Sequence, residues 1–597
     1  MTRAGAHVEN CFLAPRGSAV HVHTTRRHYK DKVYETTLLR RSYREGGKVK
    51  TETLGNLSHL PKETIELVRA SLKGETFVRA DEAGLSPEGF SIERSLLHGH
   101  VAACFAMAEK LGLAELIGPP CRERDLAMSL LVARATNPSS KLAAAQLFAD
   151  TTIGADLGVE QVHTDELYKA MDWLYSSQDA IEGGLAARHL RSGGRVLYDL
   201  SSSWMEGATC PLVARGHSRD GKRGKAQIEY GLLSDGQGRP IAVEVFKGNT
   251  ADPSAFIKVV SAVRERFGLE EITFVGDRGM ITKAIVQALS KLPGASWITA
   301  LRAPEIKALV ASGAIQISLF DEVNLAEITH PDYEGERLVV CRNPALADRR
   351  AHTRAALVDA TEAALAKLPA SVEAGRLKDH TKIALRAGRA VARYKMAKHF
   401  EFLVEQGRIT WSRKQYQIDQ EAATDGIYVI RSSVPGETAS AVELVGTYKS
   451  LSEVEADFRS WKASDLDLRP IFHWTENRVR AHVLLCLLAG YLTWHLRRAV
   501  APLTFSDTER GPQSTRLDPV SPALASPTTR AKAATKHTET GEPVHSYQSL
   551  LEHLKTLTRS TCRIAGSDMT FDKLSEPTPT QRRVFELIAK PIPLHLM

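Results

Sequence analysis

The sequence predicts an α/β multidomain protein. Its centre is a mixed five-stranded sheet with helices, interrupted by an insertion and preceded by a basic α+β arm and a helical domain. Three observations carry this reading. The chain has 597 residues, too many for a single core. Between residues 195 and 301, apolar runs of strand length alternate with turns and helical patterns in the order β-β-β-α-β-α-β. That order breaks off over 302–425 and resumes with one more strand and a helix.

Bulk composition sets the frame. Hydrophobic residues make up 43% and charged residues 25%, the proportions of an ordinary soluble chain. The net charge of +8 and the pI of about 9.0 suit a polyanionic partner without requiring one. Seven scattered cysteines with no C-x-x-C pair argue against a disulfide framework or a zinc knuckle and for a reducing compartment. The start, "MTRAGAHVENCFLAPRGS", has no apolar run of signal-peptide length. The longest apolar stretch, "AHVLLCLLAGYLTW" (481–494), is short and interrupted for a membrane span and reads as a buried helix. The expected place is the cytoplasm, without membrane association.

The elements follow in order. Residues 1–90 form the arm: 21–50 hold nine Lys or Arg against three acids. Partial alternation over 32–61 with a Gly-Gly turn at 46–47 predicts two or three strands in a hairpin, followed by a helix at 61–74. A charged α+β module and a nucleic-acid-binding arm fit this equally. Residues 91–192 are helical scaffold. The next block, 193–301, contains "RVLYDLSS" (195–202), a strand ending on Asp199, and two strands at 227–235 and 239–246. A helix with an Asp cap at 252–268, a strand ending on Asp277 ("EITFVGDRG", 271–279), a helix, and the strand "SWITAL" (296–301) complete it. The insertion, 302–425, ends on "KIALRAGRAVARYKMAK" (382–398). There Lys382, Arg386, Arg389 and Arg393 recur at helical spacing as one basic stripe, either a solvated face or a contact for phosphate backbone. Residues 426–500 resume the block with the strand "GIYVIRSS" and a helix from about 444 to 463. A Ser/Thr/Pro/Ala-rich stretch at 501–546 reads as a disordered linker, and 547–597 as a small helical appendage.

The chemistry starts from the aspartates. In a sheet ordered 3-2-1-4-5, the first and fourth strands are parallel neighbours, so Asp199 and Asp277 meet at their ends. Two carboxylates that close repel, and a divalent cation is the natural compensation; hard oxygen ligands suit magnesium or manganese. A third carboxylate would complete a two-metal site for in-line phosphoryl displacement. The helix "YKSLSEVEADFRSWK" (448–462) supplies Glu455, and seven-residue spacing puts Tyr448, Glu455 and Lys462 on one stripe. Its Leu451, Val454 and Phe458 form the face that docks on the sheet. "GKRGK" (221–225) lacks P-loop spacing, so nucleotide hydrolysis is not expected. Trp204 and the "FHW" corner (472–474) read as packing residues, while His217 and Arg219, in the loop after the first aspartate, are weaker candidates for a phosphate contact.

In this order, these residues resemble the RNase H-like DDE transposases of bacterial insertion sequences, and more narrowly the group marked by Y-x-x-R-x-x-x-E-x-x-x-x-x-x-K. Tyr448, Glu455 and Lys462 match that signature in register; Leu451 stands where the signature has Arg. "YDLSSSWMEG" (198–207), "GHSRDGKRGKAQIEYGLLSDGQGRPIAVEVFKGNTADPSAF" (216–256), "FVGDRGMIT" (274–282) and "SDLDLRPIFHWTENRVRAHVLLCLLA" (464–489) resemble the surrounding family segments. The likeness covers about 90–500.

The resemblance implies an RNase H-like catalytic core in which Asp199, Asp277 and Glu455 hold two Mg2+ ions, with Mn2+ a possible substitute. It implies that Tyr448 and Lys462 contact the transposon end. Arg278, Arg386, Arg389 and Arg393 are further candidates for DNA contact. The expected function is a DNA transposase that cleaves at terminal inverted repeats and joins the 3′-hydroxyl ends to target DNA. Its partners are double-stranded DNA and a second copy of the chain. The alternatives are a related nuclease that does not transpose and an inactive DNA-binding derivative.

Overall fold

The computed structural model describes residues 19–29, 32–75, 90–207, 209–222, 224–250, 252–320, 323–405, 407–509, 518–565 and 567–596. These fall into two compact units, Met1–Arg94 with Thr561–Asp572, and Ser95–Ser560 with Lys573–Met597.

In the first unit, strands β1 (Ala19–Tyr29), β2 (Lys32–Glu45) and β3 (Lys48–Asn56) form an antiparallel sheet in that order. Gly46 and Gly47 both take positive φ, 57° and 79°, the geometry of a tight hairpin turn. The helix Lys62–Leu72 buries Ile65, and Arg69 donates to Thr24 Oγ1 at 2.7 Å. The strands and helix expected of the arm are present. Strand β4 (Phe90–Leu97) then opens a segment that the sequence led us to expect as helical throughout.

The second unit is built around one sheet of eight strands. Its members are β5 (Gly194–Trp204), β6 (Gln227–Asp235), β7 (Pro240–Lys247), β8 (Ile272–Gly276), β9 (Ala295–Ala300), β10 (Leu325–Ile328), β11 (Arg337–Arg342) and β14 (Ile427–Ser432). The order is β10-β11-β14-β9-β8-β5-β6-β7. One half reproduces the expected 3-2-1-4-5 arrangement, with β5 parallel to β8 and antiparallel to β6. The other half corrects it: β14 pairs antiparallel with β9, and β11 and β10 extend that edge. Residues 325–342 therefore belong to the main sheet. Buried Leu338, Val339, Val340 and Cys341 explain this, because an apolar strand paired on only one edge needs a second partner.

The separate part of the insertion begins at the helix Pro344–Leu365. It includes the helix His380–Arg393, the hairpin β12 (Phe400–Glu405) and β13 (Arg408–Arg413), and a small core of its own around Leu365, Ile383 and Ala387.

Helices between residues 99 and 189 pack with the sheet into a single core that also contains the helix Glu476–Ala499. That helix is long and apolar enough to cross a membrane by length and composition, but 83% of the qualifying window is buried inside the protein. The expected buried helix is thus observed, longer than the apolar run suggested.

The described part of 501–546, expected to lack structure, contains the helix Pro527–Thr535. Ser526 caps that helix, and buried Lys532 donates to the carbonyls of Thr504 and Ser506 at 3.0 and 2.9 Å. Side-chain hydrogen bonds supply the order that apolar periodicity does not. The C-terminal segment also differs from the expected all-helical appendage. Strands β15 (Thr558–Ile564) and β16 (Thr570–Leu574) join β4 in a three-stranded sheet.

Candidate active site

Strand β5 is apolar on both faces: Val196, Leu197, Tyr198 and Leu200 are all buried, as suits a strand covered on both sides. It does not stop at Asp199, as the sequence suggested, but continues antiparallel to β6 as far as Trp204. Only its parallel pairing with β8 stops there. The last matched pair is Tyr198 with Gly276, so the next residues on the two strands are Asp199 and Asp277. Asp199 Oδ1 accepts from the Leu200 N–H at 2.8 Å, and Asp277 Oδ1 accepts from the Arg278 N–H at 2.7 Å. Each short bond fixes a carboxylate over its own strand end.

The third carboxylate arrives on a broken helix. Ser440 and Glu443 form a capping box that starts the helix Ala441–Lys449. Ser450 then turns its hydroxyl back onto the Gly446 carbonyl at 3.1 Å, and the helix breaks before resuming as Leu451–Arg459. A π-turn, Ser460–Ser464, ends it. The single helix expected over 444–463 is therefore three pieces. Leu451, Val454 and Phe458 are buried as the docking row, with Phe458 edge-on to Tyr230 at 5.6 Å. Glu455 is on the exposed side. The β6–β7 turn braces the helix from below: Gly238 has φ +79°, and a Cβ there would stand 2.5 Å from the Glu453 Cβ.

Electrostatics tie these groups together. The Asp199 carboxyl is raised to about 7: burial is the main cause, the Leu200 N–H bond and Arg219 hold it down, and the charges of Asp277 and Glu455 add to the rise. Burial likewise raises the Tyr448 phenol, which feels Asp277, Asp199 and Glu455 on one side and Arg278 on the other. Tyr448, half-buried against the core, thus shares one neighbourhood with all three carboxylates and Arg278.

Lys462 does not lie on that stripe as a free cation. The π-turn carries it to a buried position, where its Nζ donates to Asp220 Oδ1 at 2.8 Å. Arg386, Arg389 and Arg393 are exposed with Lys382 on one face of their helix, opposite buried Ile383, Ala387 and Val391. The insertion core holds that helix, so the stripe forms as expected.

Two expectations about aromatic residues change. Phe472 and Trp474 are 62% and 72% exposed, so only His473 of the "FHW" corner packs inward, against Tyr168 and His482. Trp204 is half-buried, with Lys222 and Lys225 over its ring at 5.7 and 5.6 Å. Sequence reasoning passed over Asp220 and Arg469, which pair at 2.5 Å beside Lys462. The one available signal was an acid set within the basic run "GHSRDGKRGK".

Among the described residues, no group of three or more His, Cys, Asp or Glu side chains stands ready to hold a metal ion. The donor chemistry still fits a hard divalent cation. Asp199 and Asp277 are neighbours across a parallel pair, and Asp199 is raised by burial first and then by the charges of Asp277 and Glu455, all of which a bound cation would offset.

Comparison with known proteins decides the family. Residues 22–83 match the IS1634 family transposase N-terminal domain, and residues 210–492 match the transposase DDE domain. The chain belongs to the DDE transposases of insertion sequences. It is a DNA transposase, an enzyme whose cleavage and transfer of DNA strands depend on divalent metal. The DDE match takes in Asp277 and Glu455 and begins after Asp199. Among solved structures, a cryo-EM piggyBac transposase synaptic complex with hairpin DNA is similar at 9% identity, covering 76% of this chain and 79% of that one. The TM-score is 0.34. No curated protein matches.

Proposed function

We propose that this transposase works through Asp199, Asp277 and Glu455 as ligands of two Mg2+ ions, for which Mn2+ can substitute, in an RNase H-like core. The observation that carries the reading is the β5–β8 register, which brings Asp199 beside Asp277 while Glu455 raises the same carboxyl. Bound there, the ions would activate the attacking water or 3′-hydroxyl and stabilise the leaving oxygen of an in-line displacement.

The protein's own groups do the rest. Tyr448 keeps its phenolic proton at any working pH, because burial and three carboxylates raise it, so it donates a hydrogen bond to DNA. Arg278, exposed beside it, offers a guanidinium to a phosphate oxygen. Lys462 meets the transposon end from the neighbouring cleft. Arg386, Arg389 and Arg393 track the backbone from the insertion, and the N-terminal arm adds basic surface. The substrates are terminal inverted repeats and target duplex. Two ends imply two copies of the chain in the working complex, acting in the cytoplasm on the nucleoid of a bacterium.

Strand transfer with Mg2+ and DNA carrying the ends of its own element tests the assignment. Glu455→Gln should abolish cleavage and keep DNA binding, and Ca2+ in place of Mg2+ should do the same to the wild type. Full activity in Glu455→Gln would remove Glu455 from the site.

A further inference from the structure

Beside the catalytic helix lies a cleft of about 700 Å³, lined by Arg219, Asp220, Arg459, Lys462, Asp465 and Arg469 with Arg497 at its edge. Its acids form the floor. The Asp220 and Asp465 side chains are only 1% and 2% exposed. Its cations form the rim: Lys462, Arg219, Arg469 and Arg497 are 10%, 25%, 26% and 42% exposed, and Arg459 is exposed on the helix. An approaching molecule therefore meets positive charge first. Arg459 lines the cleft one helical turn after Glu455, so the cleft runs along the helix face that carries the third carboxylate.

Asp220 organises this rim. One oxygen, Oδ1, receives both Lys462 Nζ at 2.8 Å and Arg469 at 2.5 Å, while Oδ2 has no hydrogen-bond partner among the described residues. Burial pulls the Lys462 ammonium down from its ordinary value, and Asp220 is the group that holds it up. Without that carboxylate, two cations would face each other at close range in the cleft.

We propose that the cleft binds the sugar–phosphate backbone of the DNA as it leaves the carboxylate site, and that Asp220 is the positioning residue that holds Lys462 and Arg469 for it. The proposal rests on the reading that Lys462 meets DNA. It adds Arg219, Arg459 and Arg469 as phosphate contacts and gives an acid a favourable role in binding a polyanion.

That last point makes the test sharp. Full-length variants are titrated with a fluorescent duplex of arbitrary sequence in Ca2+ buffer over a range of salt. Lys462→Gln, Arg469→Gln and Arg459→Gln should each weaken binding several-fold and lower the slope of log K against log salt by about one. Asp220→Asn should weaken binding too, although it removes a negative charge. In a Lys462→Gln background it should add less than it does alone, because the two act as a unit.

If Lys462→Gln weakens binding while Asp220→Asn binds as tightly as wild type with an unchanged slope, the positioning role is overturned and the Lys462 reading stands. If Lys462→Gln itself changes nothing, that underlying reading fails. Arg459 is exposed and takes part in no buried pair among the described residues, so Arg459→Gln tests the cleft even if Asp220→Asn does not fold. Unchanged affinity and slope in Arg459→Gln would remove the cleft from the DNA path.

Discussion

Asp199 sits where burial and two like charges work against its ionised form, and this has a cost in the metal-free protein. Its carboxyl lies at about 7 in the fold against 3.8 in the unfolded chain. A raised acid binds its proton more tightly when folded, so stability falls as pH rises from 3.8 through 7 and the cost is complete above it. At about 1.4 kcal/mol per unit, the upper bound is about 4 kcal/mol. Asp199→Asn should therefore melt higher than wild type in EDTA at pH 8 and lose strand cleavage; an unchanged or lower melting temperature would contradict the uncompensated charge. Leu451 gives the opposite case. It occupies the signature's Arg position but is buried in the docking row with Val454 and Phe458. Leu451→Arg would bury an unpaired charge, so it should cost several kcal/mol in denaturant unfolding rather than add a DNA contact. That placement was legible in the sequence, because apolar side chains spaced by three and then four residues fix a helix face. The pairing of Lys462 with Asp220 was not, because it joins residues 242 apart.

At the scale of elements, the carboxylate-bearing helix depends on the β6–β7 turn beneath it. Gly238 has φ +79° and presses on Glu453, two residues before Glu455. Gly238→Ala adds a strained backbone and a Cβ at 2.5 Å from another Cβ, so the helix must move. Cleavage by Gly238→Ala should fall at least tenfold while duplex binding through the arm and insertion persists. Gly236→Ala in the same turn meets only Arg195 atoms at 3.8 Å, without positive φ, and should cleave like wild type. Equal activity in both would show that the turn does not set the helix. The helix break at Ser450 belongs to the same scale. Apolar periodicity runs straight through it, and the cause is one hydroxyl returning to the Gly446 carbonyl. Likewise, six strands of the sheet, β14 among them, were readable from their runs and turns. The edge on which β11 and β10 join β14 was not, since nothing local says that a strand inside an apparent insertion pairs with one 85 or more residues later.

Across the whole molecule, titration is dominated by histidines that folding keeps neutral. Burial pulls His98 and His189 down to about 4, and His100, His473 and His495 to about 3; His482, fully enclosed, lies well below its ordinary value. His98 shows how far burial outweighs the rest: its Nε2 donates to the Pro593 carbonyl at 2.8 Å, which favours the charged ring, and the ring is still lowered. A histidine lowered by folding contributes stability that is present above 6.5 and lost as pH falls toward its folded value, at about 1.4 kcal/mol per pH unit. Buried acids oppose this. Asp199 and Glu182 are raised to about 7, and Asp235 and Asp457 are raised as well, so the folded state takes up their protons first. Burial also lowers His399 and His545, so over the window from pH 6.5 to about 4.5 the lowered histidines outnumber the raised carboxyls among the described residues, and Glu182 already has Arg266 at 2.8 Å to offset its charge. The net effect is proton uptake on unfolding. Urea unfolding of the full chain in EDTA should therefore give a lower free energy at pH 5 than at pH 7. Equal or greater stability at pH 5 would mean that the buried carboxyls outweigh the histidines. In that case replacing Glu182 with Gln would flatten the profile, whereas under the histidine-dominated balance it would steepen the loss on acidification.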